Sequence, residues 1–182
     1  MQAIILAAGC GSRLASKLNG KPKCLIPIEE SSLIEYQVER FHDFGITDIC
    51  IVIGYRADDV RDVLGDRCHY IENPRYAETN SLYSLSLTCD WVRDAFLLLN
   101  CDVLAHPRIY RRLLATPGNV LAYDSQSGSQ DEEMKVQFEQ GKLRRISKTL
   151  PSGIVHAVCA FEAGDSEVGG SLYGSALFRQ AF

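Results

Sequence analysis

Apolar positions in this chain gather in short unbroken runs, with amphipathic stretches between them. Ala3-Ile4-Ile5-Leu6-Ala7-Ala8 is the first run, of strand length and without alternation, which is the pattern of a strand covered on both faces. Asp48 to Ile53 is a second, rich in β-branched residues, and Ala95 to Leu99 is the most apolar of all. Between the first two, Ser32-x-x-Glu35 forms a capping box. It opens a helix with Ile34, Val38 and Phe41 on one face, and Gly45 closes it. Gly54-Tyr55-Arg56 turns the chain, Ala57 to Leu64 reads as a short helix, and His69-Tyr70-Ile71 as a third strand. The order β-α-β-α-β predicts parallel pairing with right-handed crossovers.

Further along, Asn73 to Asn80 is a polar loop, and Ser81 to Thr88 is helical. Pro107 to Leu114 reads as another helix and Asn119 to Tyr123 as a strand. Ser125 to Gln130 is a low-complexity loop. Glu133 to Phe138 and Lys142 to Ile146 alternate around Gln140-Gly141 as an antiparallel hairpin. The residues before Phe182 read as helical. There is no internal repeat and no dividing linker, so residues 1–182 are expected to form a single α/β domain with a mostly parallel central sheet and a late hairpin.

Chemistry enters where the first run ends. Leu6-Ala7-Ala8-Gly9-Cys10-Gly11-Ser12-Arg13-Leu14 turns on two glycines and delivers a cation, and Lys21-Pro22-Lys23 supplies a second. Bare N–H groups in a glycine turn make a concave anion site, and flanking cations match the remaining charge of a polyphosphate. The stretch is therefore a candidate nucleoside-triphosphate pocket. A Walker A loop is excluded, because neither its glycine spacing nor its Gly-Lys-Ser/Thr end is present. The dinucleotide fingerprint is met at Gly9 and Gly11 but fails at Leu14. A strand–turn with no ligand remains the plain alternative. Asp102 follows the most apolar strand, at the sheet edge where open α/β sheets bind ligands. A carboxylate there suits Mg²⁺, a hard ion that prefers oxygen; a helix-capping aspartate is the alternative.

The motif L-A-A-G-x-G-S-R-L followed by P-K resembles that of nucleotidyltransferases of the sugar-phosphate and phosphocholine type. Three stretches bring the resemblance nearest to cytidylyltransferases of phosphocholine and related aminoalkyl phosphates or phosphonates. They are Pro22-Lys23-Cys24-Leu25, Asn73 to Leu85, and Glu132-Glu133-Met134-Lys135-Val136 with Ser147-Lys148. The resemblance implies a three-layer Rossmann-like fold and attack by an acceptor's phosphate oxygen on the α-phosphorus of CTP, with pyrophosphate released. An anionic nucleophile needs no general base, so catalysis would be positioning plus charge neutralisation.

In that scheme Arg13 holds the pyrophosphate oxygens and Lys23 neutralises charge on the α-phosphoryl group. Leu6, Ala7, Ala8, Gly9, Gly11 and Ser12 cradle the nucleotide, with Asn80 and Ser84 lining the cleft. Asp102 holds Mg²⁺, and Lys148 grips the acceptor's phosphate. Tyr83 and Glu133, with Tyr76, offer aromatic faces and a carboxylate to an amine or quaternary ammonium. A sugar-1-phosphate or polyol-phosphate acceptor, and a nucleotide-binding module without catalysis, stay open as alternatives. The resemblance frays after about residue 150. Family members continue further and carry there a second metal-binding aspartate that this sequence does not show, so the domain is expected to be truncated at its C-terminal side.

Composition narrows the partners. With 46% hydrophobic and 23% charged residues, a net charge of −4 and no basic cluster longer than Lys142-Leu143-Arg144-Arg145, nucleic acid is not expected. No stretch approaches the roughly 18 apolar residues of a membrane span, and the N-terminus lacks a signal-peptide pattern. Seven scattered cysteines without a C-x-x-C pair suit buried thiols in a reducing cytoplasm. The four dispersed histidines suggest no zinc site. The partners expected are CTP or another nucleoside triphosphate and a small phosphorylated acceptor; a homodimer is left open.

Overall fold

The computed structural model describes residues 1–11, 18, 20–124, 135–139, 142–147, 156–160 and 177–180. Along the chain run β1 (Gln2–Leu6), β2 (Pro27–Ile28), β3 (Ser31–Ser32), α1 (Leu33–Asp43), β4 (Asp48–Ile53), α2 (Ala57–Leu64) and β5 (His69–Glu72). They are followed by α3 (Ser81–Ser86), β6 (Phe96–Asn100), α4 (Pro107–Ala115), β7 (Val120–Asp124), β8 (Lys135–Glu139), β9 (Lys142–Ser147), β10 (His156–Ala160) and β11 (Leu177–Gln180).

Among the described residues the main sheet has the order β5-β4-β1-β6-β11-β7-β10-β8-β9. β5, β4, β1 and β6 pair in parallel, with Leu6 opposite Val52 on one side and Asn100 on the other. The remaining strands join antiparallel, ending in the β8–β9 hairpin. β2 and β3 form a separate small ribbon just before α1.

Alternation along β1 sorts its side chains into two cores. Ala3, Ile5 and Ala7 face a cluster built with Ile34, Val38 and Phe41 of α1, Val60 and Leu64 of α2, and Tyr110 and Leu113 of α4. Ile4, Leu6 and Ala8 face a second cluster with Val52, Phe96 and Leu98, against which Leu85 and Trp91 pack. Helices on both faces of a parallel sheet are the three-layer arrangement that the unbroken apolar runs require. The capping box forms as read. Glu35 N–H donates to Ser32 Oγ at 3.4 Å, and Ser32 N–H donates to Glu35 Oε2 at 2.9 Å.

The chain end departs from the sequence reading. Residues 177–180 are strand β11 rather than helix, paired antiparallel with β6 and β7. Local propensity is a weak prior there, because the open edge of β6 offers a full ladder of backbone partners. The antiparallel part of the sheet is accordingly larger than one hairpin, since β10 also joins it. Ser12, Arg13, Leu14, the Ser125–Gln130 loop, Glu133 and Lys148 lie outside the described residues.

Candidate active site

The site forms where β1 and β6 end side by side. The ladder carries on past both strands: Ala7 N–H donates to Val52 O at 2.8 Å, Tyr55 N–H to Ala8 O at 3.0 Å, and Cys101 N–H to Leu6 O at 3.1 Å. These bonds hold the first glycine turn flat against its neighbours. Gly54 lies against it so closely that a Cβ there would sit 2.8 Å from Ala8 O and 2.8 Å from Tyr76 Cβ. Gly11 has φ +59°, and a Cβ on it would meet Lys23 Cγ at 2.8 Å. The Lys23 stem thus lies over Gly11.

A cavity of about 370 Å³ opens on this turn. Leu6, Ala8, Gly9 and Gly11 form its floor, and Lys23 closes one side. Tyr76, Asn80 and Ser84 form the other side. All but Tyr76 were expected to touch nucleotide or phosphates, and the fold brings them together. Ala7 is buried beneath them, with its N–H spent on β4. Cys10, Thr79 and Ser81 also line the cavity; in sequence they are neighbours of motif residues with no signal of their own.

The far wall depends on a residue the sequence reading did not assign a role. Asn73 is 1% exposed. Its Nδ2 donates to Thr79 Oγ1 and to Ser84 Oγ, each at 3.0 Å, and its Oδ1 accepts from Arg75 N–H at 2.9 Å. The Asn-Pro dipeptide is the usual mark of such an Asx turn, and it was the available signal. Asn80 caps α3, its Oδ1 accepting from Tyr83 N–H at 3.1 Å. Tyr83 itself lies beside the cavity rather than in its lining, with the Arg75 guanidinium 5.6 Å above its ring.

Lys23 and Asp102, distant in sequence, meet. Lys23 Nζ lies 3.2 Å from Asp102 Oδ2, with the two side chains 24% and 36% exposed. A half-open pair of this kind contributes about 0–1 kcal/mol, so either charge is readily given up to another partner. Lys23 is presented by the short turn Lys23–Leu25 behind Pro22. The segment before it is fastened at Gly20 O, which accepts from Tyr55 Oη at 3.0 Å and from Arg56 Nη1 at 3.3 Å.

Beside the ion pair, Cys24, which follows Lys23, meets Cys101, which precedes Asp102. A thiol hydrogen bond with Cys24, reinforced by burial, holds Cys101 well above the usual thiol range. Burial likewise pushes Cys50 up to about 12 and Cys68 up to about 11. These thiols stay neutral at physiological pH, so the charges at the site are those of Lys23 and Asp102. Among the described residues no group of three or more His, Cys, Asp or Glu side chains could hold a metal ion. No helix among them is long and apolar enough to cross a membrane.

Comparison with known proteins adds to this geometry. The family model described as a MobA-like NTP transferase domain matches residues 3–160. The CMP-5'-(3-aminopropyl)phosphonate synthase of Streptomyces rubellomurinus is 30% identical over 122 residues, which is 64% of this chain and 19% of that protein. A choline-phosphate cytidylyltransferase of Streptococcus pneumoniae is 38% identical over 101 residues, 54% of this chain and 43% of that protein. The chain thus spans less than half the length of these curated relatives. Among solved structures, an inositol-1-phosphate CTP transferase from T. maritima shares the fold with a TM-score of 0.72 at 21% identity, over 99% of this chain and 70% of that one.

Proposed function

The chain belongs to the MobA-like NTP transferase domain family, and from that premise we propose that it transfers CMP from CTP to a phosphocholine-like or aminoalkylphosphonate acceptor and releases pyrophosphate. The observation that carries this reading is the Lys23–Asp102 pair at 3.2 Å, set at the edge of a cavity floored by the glycine turn. One cation and one carboxylate at the mouth of a polar cavity are what a nucleoside triphosphate with its counter-ion needs. The similarity to the aminopropylphosphonate synthase and the choline-phosphate enzyme supports the choice of base and acceptor.

The residues divide the work as follows. Backbone groups from Leu6 to Gly11 take the nucleotide, and Asn80 and Ser84 bound it from the α3 side. An arriving polyphosphate competes with Asp102 for Lys23, which then neutralises charge at the α-phosphoryl group. The acceptor's phosphate or phosphonate oxygen forms the new bond to the α-phosphorus as the bond to the β-phosphate oxygen breaks. No proton has to move from the nucleophile, so the site needs no base.

Asp102 fits Mg²⁺, because this ion is held by one or two carboxylates with substrate phosphates completing its shell; when bound, it would offset phosphate charge. Arg13 as the pyrophosphate clamp, Ser12 in the loop, and Lys148 and Glu133 toward the acceptor enter the proposal on their sequence motifs. Tyr83 would reach the acceptor from α3.

Pyrophosphate release with Mg²⁺ and CTP tests this, with phosphocholine, 2-aminoethylphosphonate and glucose-1-phosphate as acceptors in parallel. Turnover is expected with an amine-bearing acceptor. Lys23→Ala and Asp102→Ala should each lower kcat/KM by about 10²–10³. Turnover only with the sugar phosphate would move the acceptor class. CTP-induced thermal stabilisation with no turnover in any arm would leave a binding module.

A further inference from the structure

The segment that carries Asp102 is held by a side chain 65 residues earlier, which the reaction scheme does not use. Gln37 stands in the middle of α1 and is 0% exposed. Its Nε2 donates to Asn100 O at 3.0 Å and to Val103 O at 2.7 Å, the two carbonyls that bracket Cys101-Asp102. One residue earlier on the same helix, Tyr36 Oη donates to Ala105 O at 3.1 Å. Two backbone bonds also hold the turn: Val103 N–H to Asn100 O at 3.2 Å and Cys101 N–H to Leu6 O at 3.1 Å.

Packing does not account for a glutamine at this place. Gln37 Oε1 is buried and has no partner among the described residues. A buried amide with an orphaned oxygen is unfavourable compared with an apolar side chain of like volume. What the amide supplies and an apolar residue cannot is a pair of N–H donors, both spent on the Asp102 turn. An amide group is planar, so two carbonyls bound to one nitrogen are fixed relative to each other and to the helix.

We propose that Gln37 is a positioning residue for Asp102, its single Nε2 fixing Asn100 O and Val103 O so that the carboxylate is held ready beside Lys23 for a divalent cation and the substrate phosphates. This rests on the nucleotidyltransferase reading for its consequence, and on geometry alone for the brace itself. Removing a hydrogen bond that holds a metal-binding group in place lowers metal affinity by about 10–100-fold.

The test is Gln37→Met in the full chain. Methionine conserves length and volume, and it removes the orphaned oxygen together with the donors. Asn100 O keeps its bond from Val103 N–H, so the fold should survive. Two readouts are taken, with Val38→Ala, a fully buried change on the same helix, as the packing control. Amide hydrogen exchange needs no nucleotide, and in Gln37→Met it should rise about tenfold at Cys101 and Val103 while β4 stays protected. The Mg²⁺ concentration giving half-maximal pyrophosphate release should rise about tenfold, with CTP stabilisation in the absence of Mg²⁺ unchanged. Val38→Ala should lower the Tm and leave the Mg²⁺ midpoint where it was. Unchanged exchange at Cys101 and Val103 would overturn the brace. Faster exchange with an unmoved Mg²⁺ midpoint would reduce Gln37 to a structural contact and overturn the positioning role. A wild-type chain with no Mg²⁺ response would overturn the nucleotidyltransferase reading and the positioning role with it, while the exchange data still decide whether the brace exists.

Discussion

Two loops face each other across the end of β1, and each is fastened by one buried amide. In the loop 73–80 that amide belongs to the loop itself: Asn73 is satisfied at both ends, by partners two to eleven residues away. In the turn after β6 the amide comes from α1, reaches across 63 and 66 residues, and leaves its own oxygen without a partner among the described residues. The first loop therefore carries its own geometry wherever the chain goes, whereas the second is only as well placed as α1 is packed. The 73–80 wall of the cavity is locally encoded, and the Asp102 turn is a tertiary construction.

Breaking the local fastening should have the largest effect. Asn73→Ala strips the Thr79 and Ser84 hydroxyls and the Arg75 N–H of their shared partner in a buried place. Thr79 Oγ1 keeps its bond to Arg75 O, but the buried Ser84 hydroxyl loses its donor; an unmet buried polar group costs about 1–3 kcal/mol, and the cavity wall holding Asn80 and Ser84 loses its support. Urea unfolding should show that loss, and CTP stabilisation should weaken with it. A variant as stable as wild type would mean that the loop holds itself without its asparagine.

The same contrast explains what the amino-acid sequence makes legible. The β1–α1–β4–α2–β5 order, the Ser32–Glu35 capping box and the glycine turn are all patterns within a few residues, and they stand where the sequence puts them. Asn73 to Asn80 was legible as a polar loop, though the two hydroxyls that Asn73 collects were not. Gln37 gave no signal, because in the α1 pattern it stands with Glu35 and Tyr36 among the residues between Ile34 and Val38. Its burial makes sense only with carbonyls that arrive 63 and 66 positions later. The strand at Leu177–Gln180 was missed for the same reason, since its partners are β6 and β7 and nothing local announces them.

A smaller change sharpens the tertiary side of the comparison. Tyr36→Phe removes one hydroxyl bond to Ala105 O and keeps the ring. The expected loss is about 0.5–1.5 kcal/mol in unfolding free energy. Amide exchange should rise at Val103 and leave Tyr83 and Ser84, in the locally fastened wall, unaffected. Equal acceleration in both walls would show that they loosen as one unit and would remove the distinction.

The smallest effect should come from the start of α1, where pH offers a handle on the helix that carries Tyr36 and Gln37. The Ser32 N–H, then the Ser32 hydroxyl, hold the Glu35 carboxyl below its ordinary value; the Arg67 guanidinium adds to this, and burial opposes it. A carboxylate with a lowered pKa in the folded state stabilises the protein at pH values above its unfolded pKa, near 4.5, and the gain is lost as pH falls through the folded value. Glu35→Gln should therefore be less stable than wild type at pH 7 by about 0.5–1 kcal/mol, the range of a helix-capping contact that is partly exposed. The gap should close as pH drops below 4.5, where wild type gains the proton that glutamine mimics. At pH 7 the variant should also loosen the start of α1, raising amide exchange at Glu35 and, more weakly, at Val103 through the bonds from Tyr36 and Gln37. A stability gap constant from pH 7 to pH 3 would assign the effect to side-chain shape rather than charge. An unmoved Val103 amide at pH 7 would show that the Asp102 turn is insulated from the first turn of α1, narrowing its support to Tyr36 and Gln37 themselves.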